Sequence, residues 1–220
     1  MNSSDTQKVT GYLALAHSDH LAARHLLRYG FLEQGCILAS TAVEKYLKAI
    51  IGVHGMARTE HIDKKLLGLV RQVHPEVIND LNEDFLLFLG KCFRLRYASV
   101  SSPGFSIVIN QYKTLVALDR TVDSIDSGFR IETNKTEQPT PYRHDLAQSR
   151  KELIEDNATK SPNIITDIAH RRNKVLELKI EKGFSVIMAT YQTEGVNFHG
   201  PFLKKTELES GRSTFQLTRG

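Results

Sequence analysis

The 220-residue chain predicts a mainly α protein: an antiparallel helical bundle followed by a small C-terminal α+β extension. Three observations carry this. Apolar residues recur at helical spacing between Gly11 and Ile125, with short connections between the stretches. Glycine and proline punctuate the places where those helices must stop. After Gly128 the composition turns polar, and further on the apolar residues become β-branched and aromatic. The predicted division is 1–128 for the bundle and 129–220 for a linker plus the extension.

The first helix is expected from about Gly11 to Tyr29, with Tyr12, Leu15, Ala16, Ala23, Leu26 and Leu27 on its stripe and Gly30 as its stop. The second runs from Leu32 to Val53, where Cys36, Ala39, Val43, Leu47 and Ile50 share a face. A charged loop, Met56 to Glu60, leads to a third helix over Asp63 to Val73. Pro75 suits a first helical turn and opens a fourth, which breaks near Asn82 and ends around Tyr97 to Ser102, where Ser101-Ser-Pro-Gly104 is a breaker. Ser106 is the expected N-cap of a fifth helix carrying Ile109, Tyr112, Leu115, Val116, Val122 and Ile125. Glu132 to Tyr142, with Pro139 and Pro141, reads as a linker. A short helix is expected at Leu146 to Asn157 and a longer one at Ile164 to Lys182. Phe184 to Thr193 reads as a strand, Glu194-Gly195 as a turn, and Val196 to Phe202 as a second strand, with Ser213 to Leu217 as a third.

A net charge of +4 and a pI of about 9.0 are compatible with a nucleic-acid or nucleotide partner. The charges are mixed, and no like-charge run forms a basic arm. No apolar run approaches the roughly 18 residues that span a bilayer. The first ten residues lack the apolar core of a signal peptide. These features predict a cytoplasmic protein that does not engage a membrane. Cys36 and Cys92 sit on apolar stripes and read as buried hydrophobes rather than a disulfide.

Several chemistries fail on spacing. His17, His20 and His25 crowd the first helix beside Asp19, but a metal would need further ligands from other helices. There is no Glu-x-x-His, as a di-iron bundle requires. Walker, dinucleotide-binding, nucleophile-elbow and Cys-x-x-Cys motifs are missing. No catalytic residue, metal or cofactor is therefore predicted.

The second helix reads Ala42-Val-Glu-Lys-Tyr-Leu-Lys-Ala49, the loop after it His61-x-Asp63-x-x-Leu66-Leu67, and a later helix ends in Arg94-Leu-Arg-Tyr97. This order, over about residues 11–127, resembles the HEPN family of helical domains tied to nucleotide and RNA biology. Many of its members are metal-independent ribonucleases marked by an R-x(4–6)-H motif, in which histidine moves a proton and arginine holds the phosphate. No arginine here has a histidine at that spacing. Arg96 is followed by none, and Arg172-Asn173 opens the motif without completing it. The resemblance thus implies a binding scaffold, expected to form a homodimer and to pair with a nucleotidyltransferase partner protein.

The expected function is a non-catalytic module that binds a nucleotide, an RNA or a partner protein. The candidate ligand-binding residues are Glu44, Lys45, Lys48, His61, Asp63, Arg94, Arg96 and Tyr97. Glu44, Lys45 and Lys48 would line a polar cleft, or form a solvated helix face. Arg94, Arg96 and Tyr97 would clamp and stack a nucleotide, or simply complement a helix C-terminus. His61 and Asp63 would orient one another, or mark a helix start. Two alternatives stand beside this reading. One is a ribonuclease toxin with a divergent active site that uses Arg96 or His61. The other is an antitoxin-like interaction module whose strands over 184–202 add to a partner's sheet.

Overall fold

The computed structural model describes residues 3–56, 61–100, 103–133, 136–160, 163–181 and 185–203. Two long antiparallel helices, α1 (Ser3–Arg28) and α2 (Leu32–Val53), form its spine. The turn between them rests on Gly30, which takes φ 79°, a left-handed conformation that suits glycine. Gly35 lets the helices close, since a Cβ there would meet the Leu27 side chain at 2.8 Å. The α2 stripe is buried as expected, with Cys36, Ala39, Val43 and Leu47 fully covered and both cysteines buried and free.

α3 (Lys64–Val73), α4 (Pro75–Asp80) and α5 (Glu83–Phe93) follow. The break between α4 and α5 falls where it was expected, because Asn82 accepts from Phe85 N at 3.0 Å and caps a new helix. α5 runs on into a 3₁₀ segment, Arg94–Val100, kinked at Tyr97. Phe85, Phe88 and Leu89 of α5 join α2 in one core.

The fifth helix begins later than its stripe suggested. Ser106 opens a strand, β1 (Ser106–Asn110), and Asn110 caps α6 (Gln111–Ser127) by accepting from Lys113 N. The β-branched run Ile107-Val-Ile109 favours a strand, and its residues are buried on both faces. A two-stranded hairpin, β2 (Ile131–Thr133) and β3 (Thr136–Gln138), occupies the expected linker. The expected helix at 146–157 is replaced by two short ones, α7 (Pro141–Ala147) and α8 (Lys151–Ile154), with α9 (Ile164–Ala169) beyond.

The largest correction concerns 164–182. Among the described residues there only α9 is helical; Arg172–Ile180 is β4, the central strand of a sheet ordered β1-β4-β5. β4 is antiparallel to β1 and to β5 (Val186–Glu194). A strand covered on both faces has a continuous apolar run, so helical and β periods cannot be told apart by pattern alone. β5 matches the strand expected at 184–193, apart from Phe184, which lies outside the described residues. The expected strand at 196–202 is irregular chain. It turns at Gly195 and carries Phe202 onto Phe85 and Phe88. The strand expected at 213–217 also lies outside the described residues. Among these, no helix is long and apolar enough to cross a membrane.

Candidate functional site

Phe93, at the end of α5, gathers most of the predicted residues. Glu44 is almost buried on α2 and accepts from Lys48 Nζ at 2.7 Å, one turn along. Its other oxygen lies 2.9 Å from His61 Nδ1. The His61 ring stacks on Phe93 with centroids 3.8 Å apart. The Arg96 guanidinium covers the same ring at 4.9 Å, and Tyr97 meets it edge-on at 6.3 Å. Tyr97 is 57% exposed.

Local structure explains this convergence. Asp63 caps α3, accepting from Lys65 N and Leu66 N at 2.9 and 2.8 Å, which fixes the chain just after His61. The same chain lies directly on α5, because a Cβ on Gly90 would overlap the Ile62 carbonyl oxygen. The 3₁₀ segment then turns Arg96 and Tyr97 back toward Phe93.

Three predicted residues lie elsewhere. Lys45 pairs with Asp19 at 2.6 Å. Asp63 is a helix cap rather than a partner of His61. Arg94 turns to Phe105, its guanidinium 5.3 Å from the ring centroid, with Lys91 Nζ 5.4 Å from the same ring. Lys91 was not singled out in the sequence. Burial, and then the neighbouring Arg94 charge, lower its pKa. The run Lys91-Cys-Phe-Arg-Leu-Arg-Tyr97 alternates cations with aromatics, and that pattern was the signal for it. Among the described residues, Lys91, Arg94 and Arg96 form no ion pair, whereas Lys45 and Lys48 each hold a carboxylate.

A second polar cluster lies on the other side of α1. His20, Arg24 and Asp119 have no solvent exposure. Arg24 forms an ion pair with Asp119, and His20 Nε2 is 3.4 Å from the same carboxylate. His17 Nε2 is 2.8 Å from Asp145 on α7. Tyr142, also on α7, donates to Asp123 at 2.9 Å; burial, then Asp123, raise its pKa, so it remains a phenol. The predicted trio of helix-one histidines therefore separates: His17 and His20 face different carboxylates, and His25 packs on Tyr29. Among the described residues no three metal-ligating side chains converge.

A cavity of about 680 Å³ opens between the sheet and residues 195–202, lined by Val108, Val175, Tyr191 and Thr193 among others. None of the predicted site residues reaches it. Comparison with family profiles, curated proteins and solved structures finds no match to this chain.

Proposed function

We propose that the chain is a non-catalytic binding module on a HEPN-like bundle, and that it holds the phosphate of a nucleotide or RNA at the end of α5. The observation that carries this is the trio Lys91, Arg94 and Arg96. These cations lie over Phe93 and Phe105 and, among the described residues, have no carboxylate partner. Cations that rest on aromatic faces rather than on carboxylates are open to an incoming anion, and guanidinium forks match phosphate oxygens. The exposed Tyr97 ring and the outer face of His61 offer stacking surface to a base. Lys48 acts through Glu44, which orients His61. A homodimer and a nucleotidyltransferase partner belong to the same proposal.

Native mass spectrometry of the purified protein, followed by analysis of the denatured sample, tests this reading. A co-purifying nucleotide or RNA fragment, lost in an Arg94→Ala/Arg96→Ala variant, supports it. A ligand retained by that variant refutes the assignment.

One observation favours a second reading, a ribonuclease with a divergent site. Glu44 holds His61 by Nδ1, which leaves Nε2 of a half-exposed ring for proton transfer near Arg96. Cleavage of RNA by the purified chain, abolished in His61→Ala, would replace the binding module with this enzyme.

A further inference from the structure

We propose that residues 140–157 form a proton-operated strap, closed over α1 and α6 while His17 and His20 are neutral and released when they take up protons. The strap comprises α7, α8 and the chain after them, and polar bonds do most of its fastening. Thr140 donates to Asp126 at 2.9 Å, and Tyr142 to Asp123. Arg24 of α1 donates to the carbonyls of Glu152 and Glu155, and Arg28 pairs with Glu155 and Asp156. Tyr142 and Leu153 are its deeply buried large side chains.

Both histidines lie at this junction. His17 faces Asp145 of the strap, whose carboxylate also holds Arg150 and His144. Its remaining ring neighbours are Tyr142 at 6.0 Å and His20 at 6.3 Å. His20 faces Asp119 of α6, Arg24 and His17 of its own helix, and Tyr142 of the strap at 6.0 Å.

This arrangement suits neutral rings and opposes charged ones. A protonated imidazole donates from both nitrogens. Nδ1 of His17 and of His20 is buried with no hydrogen-bond partner among the described residues, so each new N–H would go unmade. Asp119 is already neutralised by Arg24, so protonated His20 would put two buried cations against one carboxylate. Burial lowers both histidines below their ordinary value, with Asp145 and Asp119 opposing it. A histidine held low loses folded-state stability as pH falls below about 6.5, the value it has when exposed. Lifting the strap exposes both rings, so acid favours the open state. Lys160, Arg143 and Arg171 also tie this region, to Asp123, Asp126 and Asp156.

Hydrogen exchange of the full chain at pH 7.5 and 5.5, corrected for intrinsic rates, reads the strap directly. Peptides within 140–157 should lose protection at pH 5.5, by up to about tenfold for each histidine that is charged only in the open state, since an exposed imidazole of ordinary value is about ten times more protonated than neutral one unit below it. Peptides of α2 should not change. His17→Gln/His20→Gln should keep the strap equally protected at both values. Equal protection of the wild-type strap at the two pH values would overturn the proposal without any variant. So would a pH-dependent release that persists in the double variant.

Discussion

Gly90→Ala separates helix propensity from packing at the candidate site. On an isolated helix, alanine is favoured over glycine by about 1 kcal/mol. Here the new methyl would overlap the Ile62 carbonyl oxygen and lie 3.3 Å from its carbonyl carbon. The obstacle is backbone, which cannot rotate aside as a side chain does. Overpacking of this kind costs about 1–3 kcal/mol. Taking the upper part of that range and subtracting the propensity gain leaves a net loss of about 1–2 kcal/mol. For a chain of this size that lowers Tm by roughly 2–8 °C. His61 is the neighbour of Ile62, so its 3.8 Å stack on Phe93 must open. Affinity for RNA should fall several-fold although no charge has changed. Calorimetry and fluorescence anisotropy on the purified variant check both outcomes. An alanine variant as stable as the wild type, with unchanged affinity, would mean that the Ile62 backbone yields to the methyl without moving His61.

Other outcomes follow from the same geometry. Asp119→Ala leaves Arg24 buried without its partner and should cost about 3–5 kcal/mol in urea unfolding; a loss below about 1 kcal/mol would mean that water reaches Arg24. Tyr97→Ala should weaken binding of single-stranded RNA by about 1–3 kcal/mol in anisotropy titrations, the range for a lost stacking ring. Burial alone would raise the Asp145 carboxyl, but hydrogen bonds from His17, Arg150 and His144 outweigh it and bring it down to about 2. A carboxylate held low adds stability while the strap is closed; Asp145→Asn should therefore lower the urea midpoint more at pH 7.5 than at pH 5.5, where the strap is released, and an equal loss at both values would separate Asp145 from the strap.

Much of the helical core was legible because one face of each helix meets the interior. Leu32–Val53 is the clearest case, since small residues and a regular stripe leave α2 one way to pack. Asn82 and Pro75 marked the α4–α5 boundaries through their capping chemistry. β4 was hidden for the opposite reason: Val175, Leu176, Leu178 and Ile180 are buried whichever face they take, so no period shows. β1 was hidden because Ile109 also fits the α6 stripe. At the candidate site, His61, Arg96 and Tyr97 were singled out in the sequence, but Phe93, on which all three converge, was not. The strap contacts were illegible because partners such as His17 and Asp145 are 128 residues apart. Lys48 has Glu44 one turn away on its own helix, a pair legible as i,i+4, whereas only the fold brings Asp19 to Lys45.

In the proposed function, Lys91, Arg94 and Arg96, which have no carboxylate partner among the described residues, hold phosphate at the end of α5. The most direct test is the salt dependence of binding to a fluorescein-labelled single-stranded RNA. Three phosphate contacts on a single strand correspond to a slope of log K against log salt of about −2. We expect that slope in the wild type, and a slope near zero with strongly reduced affinity in Lys91→Ala/Arg94→Ala/Arg96→Ala. Wild-type protein that fails to bind at about 50 mM salt, where such contacts are strongest, or a triple variant that keeps the wild-type slope, would contradict it.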